Sequence, residues 1–212
     1  HGSPLLPLPL FRDRGFASGQ LVQVLSSIGN GGYVLILLYY VQSALGFTAL
    51  AAGLTLLPFA LGSMAATPLA ILATRRIGKW AVLLGGIVQA AALTWVFWTA
   101  GASLTGWDLT APLALTGAGL MTLIMPLTSI TLESVPTQDA GAASGTLTTF
   151  GQVGMVLGVA LAGTMFFGIL QDTADAREAV TTALWVPIVA YGVAGLASVT
   201  MPGHTKTSPQ DA

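Results

Sequence analysis

The 212-residue sequence has no cysteine, only two histidines, and just 7% charged residues. Each shortage excludes something. Without cysteine there is no disulfide framework, no thiol nucleophile and no thiolate metal site. His1 and His204 both lie in polar ends, so no apolar segment carries a histidine base or ligand. A soluble domain averages about 25% charged residues, and a chain at 7% could not cover a water-facing surface. Disorder is excluded by the 54% hydrophobic content. A net charge of −1 and the lack of any long basic run exclude nucleic acid as a partner. What is present is apolar: mean hydropathy is +0.80. The lipid bilayer is the expected surrounding, and an all-α integral membrane protein the expected class.

A helix crossing a hydrocarbon core of ~30 Å needs about 20 mostly apolar residues. Six stretches qualify: Phe16–Val41, Ala49–Ala73, Trp80–Ala100, Leu109–Leu132, Gly145–Leu170 and Thr181–Met201. They are continuously apolar and lack the alternation of a membrane barrel strand. The connections are short, so the sequence predicts a six-helix bundle over 15–201, a cytoplasmic linker over 1–14 and a disordered cytoplasmic tail over 202–212. Six spans put Arg12, Arg14, Arg75, Arg76, Lys79 and Lys206 on one side and Arg177 alone on the other. By the positive-inside rule both termini are then cytoplasmic. Trp80 falls at the inner interface, and Trp95, Trp98, Trp107 and Trp185 near the outer one, where indole rings are favoured. The opening His1-Gly2-Ser3-Pro4 reads as a cut end, with the chain a piece of something longer.

Within the spans, small residues and prolines stand out. The fifth carries two ladders, Gly141-Gly145-Thr149 and Gly154-Gly158-Ala162, of the kind that lets helix backbones approach in lipid. Pro58 and Pro68 interrupt the second span and Pro126 the fourth, each removing a backbone donor. Polar side chains in the spans point to a cavity. Gln23, Ser27 and Asn30 fall within about 60° of one another at 100° per residue, flanked by Ser26 and Tyr33 and continued by Tyr40. Thr149 and Gln152 share a face of the fifth span, with Thr148 beside them; Gln89 stands alone in the third. Polar groups at such depth face protein or water rather than lipid. The predicted cavity lining is Gln23, Ser27, Asn30, Tyr33, Thr149 and Gln152. A separate basic cluster, Arg75, Arg76, Gly78 and Lys79 with Glu133 and Asp139 on the same side, is a candidate gating loop, against the plainer reading of a positive-inside anchor.

Enzyme readings fail on these residues. Gly141-Ala142-Ala143-Ser144-Gly145 superficially suggests a nucleophile turn, but such a serine needs a base within reach. No catalytic residue and no metal site are expected. No acid lies deep in any span, so the chain shows no proton relay of its own.

Several segments, taken together, resemble a known family. They are Leu10-Phe11-Arg12-Asp13-Arg14; Tyr40-Val41-Gln42, Gly46, Gly53 and Leu56-Leu57-Pro58; Pro68-Leu69-Ala70 leading to Arg76-Ile77-Gly78-Lys79; Ser134-Val135-Pro136, Gly141, Ala143-Ser144-Gly145, Gln152, Gly154 and Gly158-Val159-Ala160. In order and spacing they are similar to the C-terminal half of the fourteen-helix drug:proton antiporters of the major facilitator superfamily. That family's loop pattern, Gly-x-Leu-x-Asp-Arg-x-Gly, is matched here at Arg76 and Gly78 but has Ile71 for its first Gly and Arg75 for its Asp. Gly151 stands where the family often has Arg. The resemblance implies half of a bacterial multidrug efflux transporter, working by alternating access in the plasma membrane. It implies an N-terminal half outside this chain, a hydrophobic or cationic small-molecule substrate, the proton gradient as energy source, and no cofactor. Two other readings stand beside it: a dedicated exporter of one metabolite or antibiotic, and a non-transporting six-helix scaffold.

Overall fold

The computed structural model describes residues 8–44, 46–99, 108–173 and 175–201. The predicted tail at 202–212, the linker residues 1–7, Trp107, Lys206 and the connection 101–107 lie outside the described residues. Helices account for nearly everything within them. A 3-10 turn (Leu8–Arg12) leads to α1 (Arg14–Tyr39), which ends in a π-helical turn (Tyr40–Ala44). Then follow α2 (Ala49–Thr55), α3 (Leu57–Ile77), α4 (Lys79–Thr99), α5 (Thr110–Glu133), α6 (Ala140–Thr173), α7 (Ala176–Ala183) and α8 (Trp185–Ser198). Six helical segments are long and apolar enough to cross a membrane, with α2 and α3 counted as one and α7 with α8 as another.

The span count agrees with the sequence expectation; three spans differ in their bounds, two of them for a local reason. The second span breaks at Leu56, because Pro58 at the start of α3 has no N–H to return to the preceding turn. The sixth begins at α7 rather than Thr181 and breaks at Leu184, three residues before Pro187. Asp175 starts α7 by accepting the amides of Arg177 (2.9 Å) and Glu178 (3.3 Å), which carries the helix into residues too polar to have been counted as span. The fifth is 34 residues long, about 51 Å at 1.5 Å per residue, well beyond a hydrocarbon core of about 30 Å. At the other end of the chain, Asp13 caps α1 by accepting the Phe16 amide at 2.9 Å.

The packing has an internal symmetry. α1 lies against α6 and α8; α5 lies against α3 and α4; α4 and α8 pack on each other. Exchanging the first three spans for the last three leaves this pattern unchanged. The two principal seams are built alike, on glycines whose missing side chains admit a facing backbone. Gly31 of α1 faces the Met155 carbonyl of α6, and Gly158 of α6 faces the Ile28 carbonyl of α1. In the other pair Gly62 of α3 faces the Ala114 carbonyl, and Gly117 of α5 faces the Phe59 carbonyl. Between lipid-embedded helices van der Waals approach supplies much of the association energy. A Cβ at any of these four positions would overlap backbone.

Only one of the two predicted ladders in α6 does this work. Gly154 and Gly158 meet α1, whereas Gly141 and Gly145 have nothing within 4 Å. The buried core joins Tyr33, Ile36 and Leu37 of α1 to Leu93, Leu123, Leu127, Phe166 and Tyr191 from the other helices. Outward-facing apolar side chains such as Leu50, Met64 and Leu196 cover the rim, as a lipid-facing surface requires. Trp80, Trp95, Trp98 and Trp185 are all on that surface, not in the core.

Candidate functional site

Gln23 and Ser27 of α1 face the glycine side of α6, at Gly151 and Gly154. Gly151 is what allows it: a Cβ there would sit 2.8 Å from the Gln23 amide nitrogen. The Gln23 side chain donates to the Ser27 hydroxyl at 3.3 Å, one turn away on the same face. Gln23, Ser27 and Asn30 are each half-buried, neither sealed in the core nor fully exposed. On α6, Thr149 and Gln152 are exposed, as is Thr148. The Thr149 hydroxyl donates back to the Gly145 carbonyl at 2.9 Å, which lowers its demand for another partner. The α1 polar residues thus sit half-buried at the seam, and those of α6 on an exposed face.

Tyr33 stands elsewhere. It is 1% exposed, packed in the core with its ring 6.3 Å from that of Phe59. Tyr33 belongs to a polar group that the sequence reading caught only in part: Gln89 of α4, noted as isolated, lies beside the Tyr191 side chain of α8. All three side chains are essentially inaccessible, and their polar atoms have no well-formed hydrogen bond among the described residues. Tyr191 gave no sequence signal, because a tyrosine in an apolar helix reads equally well as an interfacial aromatic. Its ring passes close to Gly29 of α1, where any side chain would overlap it.

The basic cluster divides into parts with different tasks. Gly78 ends α3 at φ 53° and its amide donates to Thr74 at 3.1 Å. That positive φ suits glycine, and it lets α4 begin at the next residue. Lys79 reaches across to the end of α8, where its ammonium donates to the carbonyls of Val199 (2.9 Å) and Met201 (3.0 Å). It therefore caps α8 within its own bundle, favourable for a cation at a helix C-terminus. Arg76 is exposed. Arg75 and Glu133 line one cavity of about 500 Å³ between α3 and α5, and Ser129 donates to the Glu133 carboxylate at 3.1 Å. Nearby, Leu10, Phe16, Val135 and Ala143 form a small separate core that ties the first turn of α1 to the α5–α6 connection. The charges sort by end: Arg12, Arg14, Arg75, Arg76 and Lys79 at one, Arg177 with Asp172, Asp175 and Glu178 at the other. Among the described residues no group of His, Cys, Asp and Glu side chains could hold a metal ion.

The sequence model described as Major Facilitator Superfamily matches residues 2–159. Among curated proteins the chain is similar to the "Probable actinorhodin transporter" of Streptomyces coelicolor, at 35% identity over 180 residues, 82% of this chain and 31% of that protein. It is also similar to the "Putative multidrug resistance protein MdtD" of Cronobacter sakazakii, 29% identical over 185 residues, 85% of this chain and 39% of that protein. The protein of the same name from Escherichia coli O157:H7 is 28% identical over the same shares. The chain spans under two fifths of the length of these relatives. One is described as a probable transporter and the others as putative multidrug resistance proteins; none is described as an enzyme. With six membrane-crossing segments in a symmetric bundle and a family match over most of its length, this multi-pass membrane chain belongs to the major facilitator superfamily.

Proposed function

We propose that the chain is the C-terminal six-helix half of a bacterial efflux transporter. It acts with an N-terminal half by alternating access, exporting hydrophobic or cationic drug-like molecules. Gln23, Ser27, Asn30, Thr149 and Gln152 form its share of the substrate wall, with Tyr33 backing them from the core. The observation that carries this reading is the half-buried polar face of α1 at Gln23, Ser27 and Asn30, together with the exposed polar face of α6 at Thr149 and Gln152. Polar side chains left half-buried or exposed within membrane-spanning helices suit a surface shared with a second bundle around water and solute. Two such bundles, with the substrate between them, would rock to expose it to either side.

In this reading energy comes from the proton gradient, and the acid that carries the proton belongs to the other half, since none lies deep in these spans. The basic end faces the cytoplasm of the inner membrane, by the positive-inside rule. There Arg76, exposed at the end of α3, latches the inner side closed. The test is efflux in cells carrying the full-length transporter. Gln23→Leu with Asn30→Leu should change the substrate profile, and Arg76→Ala should slow turnover at equal surface expression. An unaltered profile rejects the wall; unchanged turnover rejects the latch.

One observation favours a narrower cargo. The relative at 35% identity is described as a probable transporter of actinorhodin, whereas those described as putative multidrug resistance proteins stand at 28–29%. A gene deletion that leaves drug sensitivities unchanged but traps one endogenous metabolite would select the dedicated exporter.

A further inference from the structure

Tyr33 of α1, Gln89 of α4 and Tyr191 of α8 come together where those three helices pack. The Tyr191 ring lies against Gly29, one turn along α1 from Tyr33, and its backbone carbonyl lies against Gly86, one turn along α4 from Gln89. Gln89 stands beside the Tyr191 side chain, and the two tyrosines are close enough to interact electrostatically. Tyr33 is 1% exposed and the other two 0%. Yet both hydroxyls and both polar atoms of the Gln89 amide have no well-formed hydrogen bond among the described residues. Buried polar groups cost free energy unless they are bonded, and here they are contributed by three separate helices. The surroundings are tight: a Cβ at Gly29 would overlap the Tyr191 ring, and one at Gly119 of α5 would stand 3.2 Å from the Gln89 Cγ.

We propose that Tyr33, Gln89 and Tyr191 form a binding site for a single water molecule inside the bundle. An ion of either sign does not fit, because no acid or base lies deep in any span to balance it and an unbalanced buried charge is far costlier than a dipole. The ligand is therefore neutral, both donor and acceptor, and as small as the packing around Gly29 and Gly119 requires. Water meets all three conditions, and buried waters make about three hydrogen bonds. It accepts from the two tyrosine hydroxyls and donates to Gln89 Oε1, leaving Gln89 Nε2 to donate to the Tyr191 oxygen beside it. α1, α4 and α8 are thereby joined through a polar bridge in a core otherwise held by apolar contact and glycine seams. Beside Tyr33 a cavity of about 10 Å³, the room of one water, continues along Ile36, Val96 and Val180 toward the end that carries Arg177. That narrow passage makes exchange with the outside slow. Fixing the water offsets much of what its bonds contribute, so the site is read by labelling rather than by unfolding, and independently of transport.

The experiment is hydroxyl-radical labelling by a short X-ray pulse, on the full-length transporter purified in maltoside micelles and read by peptide mass spectrometry. A radical born from a water at the site oxidises the ring beside it, whereas radicals from bulk solvent do not reach a buried ring. Phe16 and Phe166, at 0% and 2% exposure, are the controls for burial. Tyr33 and Tyr191 should label at least tenfold faster than both. Gln89→Met should slow the two tyrosines at least fivefold, while Gln20→Met, at another buried glutamine nearer the start of α1, leaves them unchanged. Brief mixing into heavy-oxygen water before the pulse separates a bound water from transient opening of the bundle. The tyrosine label should take up the heavy isotope later than that of exposed Trp98. Tyrosine labelling no faster than that of the two phenylalanines overturns the proposal, and this contrast needs no variant to fold. Isotope uptake as prompt as at Trp98, or undiminished labelling in folded Gln89→Met, overturns it as well.

Discussion

Glycines in this bundle divide by what a side chain would meet, and that division yields the sharpest expectations for single residues. Gly158→Ala drives a methyl into the Ile28 carbonyl, and such overpacking costs about 1–3 kcal/mol. Gly145→Ala, with nothing within 4 Å, should be neutral or gain up to about 1 kcal/mol from helix propensity. Thermal unfolding of the two variants in the same detergent checks the contrast. Tyr191→Phe removes a buried hydroxyl that has no well-formed partner among the described residues, so it should leave stability unchanged or raise it by about 1 kcal/mol. A loss comparable to that of Gly158→Ala would show that the hydroxyl is held after all. At this scale the sequence was partly legible. The spacing of Gln23, Ser27 and Asn30 put them on one face, where the structure has them. Periodicity could not say that Tyr33, on the edge of that face, turns into the core, because burial depends on which neighbour covers it.

Element ends were harder to read than element existence. Hydropathy finds six spans because a bilayer demands length and apolarity, but it is blind to breaks inside a span and to polar turns that extend one. Pro58 broke the second span, and the Asp175 cap lengthened the sixth. Lys79 shows the same limit for function. Its position in a basic loop suggested gating, while its hydrogen bonds to Val199 and Met201 fasten α8, and only the fold brings residues so distant in sequence together. Lys79→Met should therefore lower stability, by about 1.5–3 kcal/mol for hydrogen bonds from a charged donor. Thermal unfolding or proteolysis at the end of α8 would register it. Lys79→Arg should recover part of the loss. No change in Lys79→Met would remove the cap and return Lys79 to the loop.

For the whole molecule, the scarcity of charge also arranges the fold. The few charges collect at the bundle ends, leaving the spans to apolar packing, glycine seams and a handful of polar side chains. Orientation can be read directly because this stretch has no cysteine of its own. Arg76→Cys should react with a membrane-impermeant maleimide only after permeabilisation, and Asp172→Cys from outside in intact cells; the reverse pattern would invert the topology. The internal exchange symmetry was not visible in the sequence, since the matched seams share backbone approach rather than residue identity.

The central claim is that the α1–α6 polar stripe is substrate wall, and one measurement bears on it most directly. Efflux of a panel of hydrophobic cations is followed in cells carrying the full-length transporter with Gln23→Leu and Asn30→Leu, at matched surface expression. The account predicts at least a tenfold fall in efflux for some compounds and a smaller change for others. Rates and profile identical to the unmodified transporter would contradict it.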